Sequence, residues 1–294
     1  RRQRQMCIRD SLHYLLENTA REVAGSGGWA AVKTPQLHAM VRKYIDLYIR
    51  DEIPGYEEKS ARFRYLFGRL RTTAEDIVDR MAEELAESDF KPVAFELGFG
   101  GRDGTLPAIT IQEGDATLSV SGKVDRVDGW LHDGKLYLRV VDYKTGRKSF
   151  DLSDVRYGLG IQMLLYLFTL EKEGQSCFGY PIVPAGVLYH PARDLILKAD
   201  RDITPEALRR AMDRELRRDG MVLGDPEVLR AMEHSALEAP CFLPIQVSKD
   251  GGISGGVATA AQLGRLGQYV EKLLHQIIRA VSYTHLTLPT ICSV

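Results

Sequence analysis

The sequence predicts an α/β fold: a mixed sheet flanked by helices, with a helical insertion near the N-terminus. Three observations carry that expectation. Two alternating runs, 122–131 and 136–144, flank Asp133-Gly134, and Asp-Gly between β-type runs is the strongest short hairpin signal. Residues 92–100 alternate strictly, and 184–190 give one more strand. Residues 12–23, 154–173 and 260–280 read as helices, the first with Leu12, Leu15, Leu16 and Val23 on one stripe. Strands interspersed with helices of this length argue for α/β architecture.

The hairpin fixes its own register. A two-residue loop pairs His132 with Lys135, Trp130 with Tyr137 and Asp128 with Arg139. The last two are favourable cross-strand pairs. Carried outward, the same register sets Asp125 opposite Asp142, and like charges directly opposite destabilise a sheet. Lys144, two residues on, points to the same face as Asp142. That face is otherwise an apolar floor of Val127, Leu131, Leu136, Leu138 and Val140. Two carboxylates and an ammonium there are costly unless compensated. A divalent cation compensates them, and Mg²⁺ is held by one or two carboxylates together with phosphate oxygens. The pattern therefore suits a metal-dependent phosphodiesterase centre. The bland reading is a surface hairpin whose charges are solvated.

The remaining elements follow in order. Residues 34–53 and 57–88 read as two helices, opened by Thr34-Pro35. In the second, Lys59, Arg62, Arg64, Arg69 and Arg71 lie among Phe63, Tyr65 and Phe67. Such a mixture either tracks a nucleic-acid backbone or forms a solvated face beside a core stripe. In the strand at 92–100, Glu96 sits between Ala94 and Gly98. Small neighbours leave room for a ligand there; the plain alternative is the polar face of an edge strand. Residues 108–112 and 116–120 form a strand pair. Thr145-Gly146-Arg147-Lys148 leaves the central hairpin as a basic exit that can meet a phosphate. The helix at 154–173 puts Gln162 and Tyr166 on one face and Leu164, Leu165, Phe168 and Leu170 in the core. Residues 195–198 are a possible partner for the strand at 184–190. Residues 205–219 and 226–234 read as short helices, and 249–256 as a Gly-rich hairpin loop. Segments 1–11 and 281–294 break the periodic pattern and read as non-native tails. That leaves one domain at 12–280, with the helical insertion at 34–90.

Composition narrows the function classes. The 294 residues are 44% hydrophobic and 27% charged, which is ordinary for a globular chain. The formal net charge of −1, from 39 basic and 40 acidic side chains, confines any DNA surface to a local patch or to a partner chain. No apolar run is long enough to span a membrane, no signal sequence opens the chain, and a cytoplasmic location is the default. The four cysteines contain no C-x-x-C, which leaves a zinc site and a disulfide framework unsupported. Cys177 and Cys241 are expected as buried free thiols. No G-x-x-x-x-G-K-[ST] occurs, so no ATP site is expected.

Gly122-x-x-Asp125-Arg126-x-Asp128, Asp142-Tyr143-Lys144-Thr145-Gly146 and Gln162-x-x-x-Tyr166 together resemble the RecB-type branch of the PD-(D/E)xK nucleases. Residues 92–100, 162–170 and 184–189 are similar to the C-terminal nuclease region of the AddB family, which belongs to bacterial ATP-dependent helicase–nucleases. The resemblance runs from about residue 12 to about residue 280. It implies a restriction-endonuclease-like core in which Asp125, Asp142, the Tyr143 carbonyl and His13 hold Mg²⁺. Glu96 and Lys144 would act with the two aspartates in catalysis. Gln162, Tyr166, Arg126, Thr145 and Arg147 would lie toward DNA. The usual Gly before His13 is absent. The implied partners are a single DNA strand delivered from a duplex end and an AddA-type helicase–nuclease subunit. The implied work is exonucleolytic resection of double-strand breaks for recombinational repair, on the strand with a 5′ end. An iron–sulfur cluster is implied for the full-length family protein, but its cysteines are not found in this chain. The competing readings are a stand-alone RecB-like or CRISPR-adaptation nuclease and a non-cleaving DNA-binding scaffold.

Overall fold

The computed structural model describes residues 2–100, 104–144, 150–192, 204, 207 and 217–284. The chain divides into two compact units, one of residues 1–89 with 192–201, the other of 90–191 with 202–294.

The first unit is helical. It contains α1 (Arg2–Gly25), α2 (Thr34–Glu52) and α3 (Ala61–Ala86), with a short 3-10 turn at Tyr56–Glu58. The expected stripe of Leu12, Leu15, Leu16 and Val23 is buried, as are Leu37, Val41 and Ile45 of α2 and Leu70, Ile77 and Met81 of α3. The first helix begins earlier than expected, because Arg, Gln and Met are good helix formers and carry it through residues 2–11. Lys33 N–H donates to Gln36 Oε1 at 3.0 Å to cap α2, and Ser60 Oγ accepts from Phe63 N–H to cap α3. Lys43–Glu22 (2.8 Å), Arg42–Glu75 (3.0 Å) and His38–Asp79 (2.8 Å) link the three helices at their edges. The mixed basic and aromatic stretch resolves into two faces. Tyr56, Phe63 and Phe67 pack on one another with ring centroids 5.0–6.3 Å apart, while Arg62, Arg64, Arg69 and Arg71 are exposed.

The second unit is built on a six-stranded mixed sheet. Its strands are β1 (Lys91–Phe99), β4 (Gly122–His132), β5 (Lys135–Lys144), β6 (Ile182–Pro191), β7 (Asp219–Leu223) and β10 (Val257–Ala258), in the spatial order β1-β4-β5-β6-β7-β10. β2 (Ile109–Glu113) with β3 (Ala116–Val120), and β8 (Ile245–Val247) with β9 (Ile253–Gly255), form separate two-stranded pairs. The helices are α4 (Leu152–Val155), α5 (Gln162–Phe178), α6 (Pro226–Met232) and α7 (Ala260–Thr284).

The central hairpin has the expected register, with His132 opposite Lys135, Trp130 opposite Tyr137 and Asp128 opposite Arg139. Asp133 and Gly134 both take positive φ (48° and 72°), the type I′ turn that suits the twist of two antiparallel strands. Val127, Leu138 and Val140 are fully buried, whereas Leu131, near the turn, is half-exposed. Strand β6 runs parallel to β5, which requires a crossover, and α5 supplies it with Leu164, Leu167 and Leu170 buried.

Three expectations are corrected here. The helix expected at 154–173 is broken: α4 ends at Val155 and α5 starts at Gln162, because Gly158 and Gly160 adopt left-handed φ of 72° and 68°. Asp219, expected at a helix end, opens strand β7, the antiparallel partner of β6. Cys177 and Cys241 are free but exposed. The possible strand at 195–198 and nearly all of the helix at 205–219 lie outside the described residues. Among the described residues, no helix is long and apolar enough to cross a membrane.

Candidate active site

The site is set by three neighbouring strands at one end of the sheet. Asp125 near the start of β4 and Asp142 near the end of β5 are 7% and 8% exposed. The backbone ladder reaches Arg126 opposite Val141, one step short of the two aspartates. Beyond that step the Asp125 carboxylate replaces the ladder: its Oδ2 accepts from the Tyr143 N–H at 2.8 Å. Lys144 Nζ lies 2.8 Å from Asp142 Oδ2, an atom shielded from solvent.

Edge strand β1 supplies the third carboxylate. Pro92 pairs with Asp128 but Ala94 with Val127, so Val93 is an extra residue that bulges the strand. Past the bulge, Phe95 faces Arg126 and Leu97 faces Val124, which sets Glu96 opposite Asp125. Carboxylate oxygens of Glu96 and Asp125 lie within 4.8 Å of one another. Glu96 has φ of 49°, a left-handed conformation inside a strand. For a residue with a Cβ this costs about 1–2 kcal/mol, and such strain concentrates at functional sites. Glu96 Oε2 also holds Lys123 Nζ at 3.1 Å. Three carboxylates and two ammonium groups thus share one edge of the sheet.

The opposite face of the hairpin is a buried ionic core. Arg126, Asp128 and Arg139 are all 0% exposed. Asp128 Oδ1 is 2.8 Å from Arg126 Nε, and its Oδ2 accepts from Arg126 Nη2 (2.9 Å) and Arg139 Nε (3.0 Å). Arg126 Nη1 donates to the Tyr143 hydroxyl at 3.0 Å, and Arg139 stacks over the Phe90 ring. Burial pushes the Tyr143 hydroxyl up to about 12. Adjacent strand residues face opposite ways, so Arg126 points away from Asp125. The expected DNA contact of Arg126 is therefore corrected: its guanidinium is spent inside the fold.

Behind the carboxylates, Tyr166 of α5 is only 2% exposed, and its ring stacks on Phe99 with centroids 4.9 Å apart. Its hydroxyl accepts from Gln162 Nε2 at 2.7 Å and from the Lys123 N–H. A Cβ added to Gly122 would fall 1.9 Å from that hydroxyl oxygen. Gly122 is thus required by the close approach of Tyr166, and the pair fixes the start of β4 two residues before Asp125. Burial holds the Tyr166 hydroxyl pKa above its ordinary value. Tyr166 was expected to line DNA; its buried ring instead supports the strand that carries Asp125.

The profile of the PD-(D/E)XK nuclease superfamily matches residues 10–293. The chain belongs to this superfamily. Similar curated relatives are named as the AddB-type component of an ATP-dependent helicase/deoxyribonuclease. That of Acetivibrio thermocellus is 33% identical over 274 residues, 92% of this chain and 24% of the relative. That of Clostridium tetani is 28% identical over 270 residues, 90% of this chain and 23% of the relative. That of Caldanaerobacter subterraneus subsp. tengcongensis is 34% identical over 228 residues, 76% of this chain and 19% of the relative. The chain spans about a quarter of the length of the curated relatives it matches.

PD-(D/E)XK nucleases typically use a divalent metal, and the donor set here fits one. Glu96, Asp125 and Asp142 present only oxygen, the ligand type of Mg²⁺ and similar hard cations. Of the other residues that the resemblance singled out, His13 lies half-buried on α1 of the first unit. Thr145 and Arg147 lie outside the described residues. Two residues were missed by sequence reasoning. Lys123 was accessible to it, since a residue two before Asp125 shares its face. Tyr189 gave no local signal, because it reaches Asp142 only through the parallel pairing of β5 with β6.

Proposed function

We propose that the chain is a Mg²⁺-dependent deoxyribonuclease domain of an AddB-type subunit that hydrolyses phosphodiester bonds of a single DNA strand. The observation that carries this reading is the pairing of buried Asp125 and Asp142 on adjacent strands, with Lys144 at 2.8 Å from Asp142 and Glu96 beside Asp125. Glu96, Asp125, Asp142 and the Tyr143 carbonyl would hold the ion, and His13 joins them by resemblance. When bound, the ion polarises the scissile phosphate and acidifies water. Lys144 orients the attacking water and offsets the charge that builds on the phosphoryl oxygens. Water adds to phosphorus, the bridging P–O bond breaks, and the departing oxygen takes a proton. Tyr143 N–H and Tyr166, through Lys123 N–H, keep Asp125 in place.

The wider role is likewise inferred from the names of the relatives and the sequence resemblance. The domain would work as an exonuclease in the cytoplasm on the 5′-ended strand during break resection, beside an AddA-type subunit. An iron–sulfur cluster would belong to the full-length protein.

The test is Mg²⁺-dependent cleavage of single-stranded DNA labelled at either end, with Asp125→Ala, Asp142→Ala, Lys144→Ala and His13→Ala beside the wild type. Loss of cleavage in the first three supports the assignment, and the label that survives longest reports polarity. Folded wild type that binds the strand yet never cuts it would leave the scaffold reading in place.

A further inference from the structure

Tyr189 lies in the middle of the candidate site without a role. It sits on β6 opposite Asp142 of β5 and opposite Asp219 of β7. Paired residues on neighbouring strands share a face, so its side chain stands with the carboxylates. Lys144 Nζ lies over its ring, 5.3 Å from the centroid. Phe150 packs on the same ring with centroids 5.9 Å apart. The Phe150 N–H in turn donates to Asp219 Oδ2, and Asp219 Oδ1 accepts from the Gly220 N–H. The ring is therefore held by Phe150 and by the strands on either side.

Lys144 has a long flexible stem, and Asp142 alone fixes only the distance of its ammonium, not its direction. An aromatic face attracts an ammonium within about 6 Å of the ring centroid. We infer that the Tyr189 ring is the second wall that orients the Lys144 ammonium for its work on the phosphodiester. Tyr189 is then a positioning residue acting through Lys144. Burial and the two flanking carboxylates, Asp142 and Asp219, hold its hydroxyl pKa above the ordinary range, so the hydroxyl stays neutral and the ring keeps its uncharged face. The ring face, not the hydroxyl, is the working part.

This inference rests on the nuclease reading, and two measurements separate their failures. The first is single-turnover cleavage of single-stranded DNA by Tyr189→Phe, Tyr189→Leu and a series carrying mono-, di- and trifluorinated phenylalanine at position 189. Fluorine drains the ring face while leaving its shape nearly unchanged. The Phe variant should retain most of the cleavage rate and the Leu variant should lose roughly tenfold. The fluorinated series should fall stepwise at constant strand affinity. A purely structural role would show no such staircase, and a flat series would overturn the proposal. The second measurement needs no turnover. Acylation of Lys144, followed by mass spectrometry, should be slow with Tyr or Phe at 189 and several-fold faster with Leu, at matched thermal midpoints. Equal labelling in all three would refute the contact. Wild type that never cuts DNA would sink the nuclease reading, while the labelling result would still decide the Tyr189–Lys144 contact.

Discussion

The buried ionic core behind the site makes the sharpest stability prediction. Asp128 is the only acidic member of the Arg126–Asp128–Arg139 group, and all three are sealed from solvent. In Asp128→Ala both guanidinium groups lose their counter-charge while remaining buried. Two directed bonds to Oδ2, at 2.9 and 3.0 Å, disappear along with the 2.8 Å ion contact. Charge-assisted hydrogen bonds contribute about 1.5–3 kcal/mol each, so the pair gives about 3–6 kcal/mol. Breaking buried ion pairs by removing one partner costs about 3–5 kcal/mol. The expected loss is therefore about 4 kcal/mol, a large share of a typical domain stability of about 5–15 kcal/mol. Urea unfolding reads it directly. Trp130 lies in the same hairpin, 5.3 Å from the Tyr137 ring, and a Trp29→Phe background makes it the sole tryptophan reporter. The triple variant Arg126→Met, Asp128→Leu, Arg139→Met should recover most of the loss, since it removes charges and partners together. A loss below about 1 kcal/mol in Asp128→Ala, or a triple variant no better than the single, would refute this account.

Other outcomes follow from the same geometry. Glu96→Gly should be more stable than Glu96→Ala by about 1 kcal/mol in urea, because glycine accepts φ of 49° without cost, yet both should lose most cleavage. Gly122→Ala forces a methyl against the Tyr166 hydroxyl and should cost about 1–3 kcal/mol, with Tyr166→Leu in the same chain restoring part of it; additive losses would count against the close contact. Glu113, on the β2–β3 pair, is held below its ordinary pKa, first by its bond from Arg279 and then by His275, both on α7. Its folded value is the lower one, so its contribution is present above the unfolded value of 4.5 and fades as pH falls through the folded value. Hydrogen exchange at 109–120 should therefore quicken below pH 4.5, and Glu113→Gln should show that faster exchange already at pH 6.

The hairpin was legible in the sequence because one assumption, a two-residue turn at Asp133-Gly134, fixed every later pair. Asp128 with Arg139 and Trp130 with Tyr137 then checked that register independently. Three features escaped for physical reasons. Alternation at 92–100 is a period-two signal, and one extra residue at Val93 leaves no trace in it. The helical spacing at 154–173 survived on paper across Gly158 and Gly160, whose left-handed backbone stops the helix in the fold. Tyr189 and Asp219 come beside Asp142 only through strand pairing across the sheet, and no local pattern encodes that pairing. The misplacement of Arg126 was avoidable. Its neighbour Asp125 faces the apolar floor, so Arg126 had to face Asp128 and Arg139, where it is found.

The irregular strand β1 also bears on self-association. It is one border of the six-stranded sheet, and the other border, β10, pairs over only Val257 and Ala258. An unprotected border strand is a template for a stranger's strand and, repeated, for fibrils. Pro92 withholds a donor, the Val93 bulge breaks the regular spacing, and the left-handed Glu96 adds a charge and a kink. No straight row of amides is left along β1 for another chain to copy. Replacing this stretch with a smooth alternating strand would do more than blunt the enzyme: it would open a growth face and turn a well-behaved domain into a seed for aggregates.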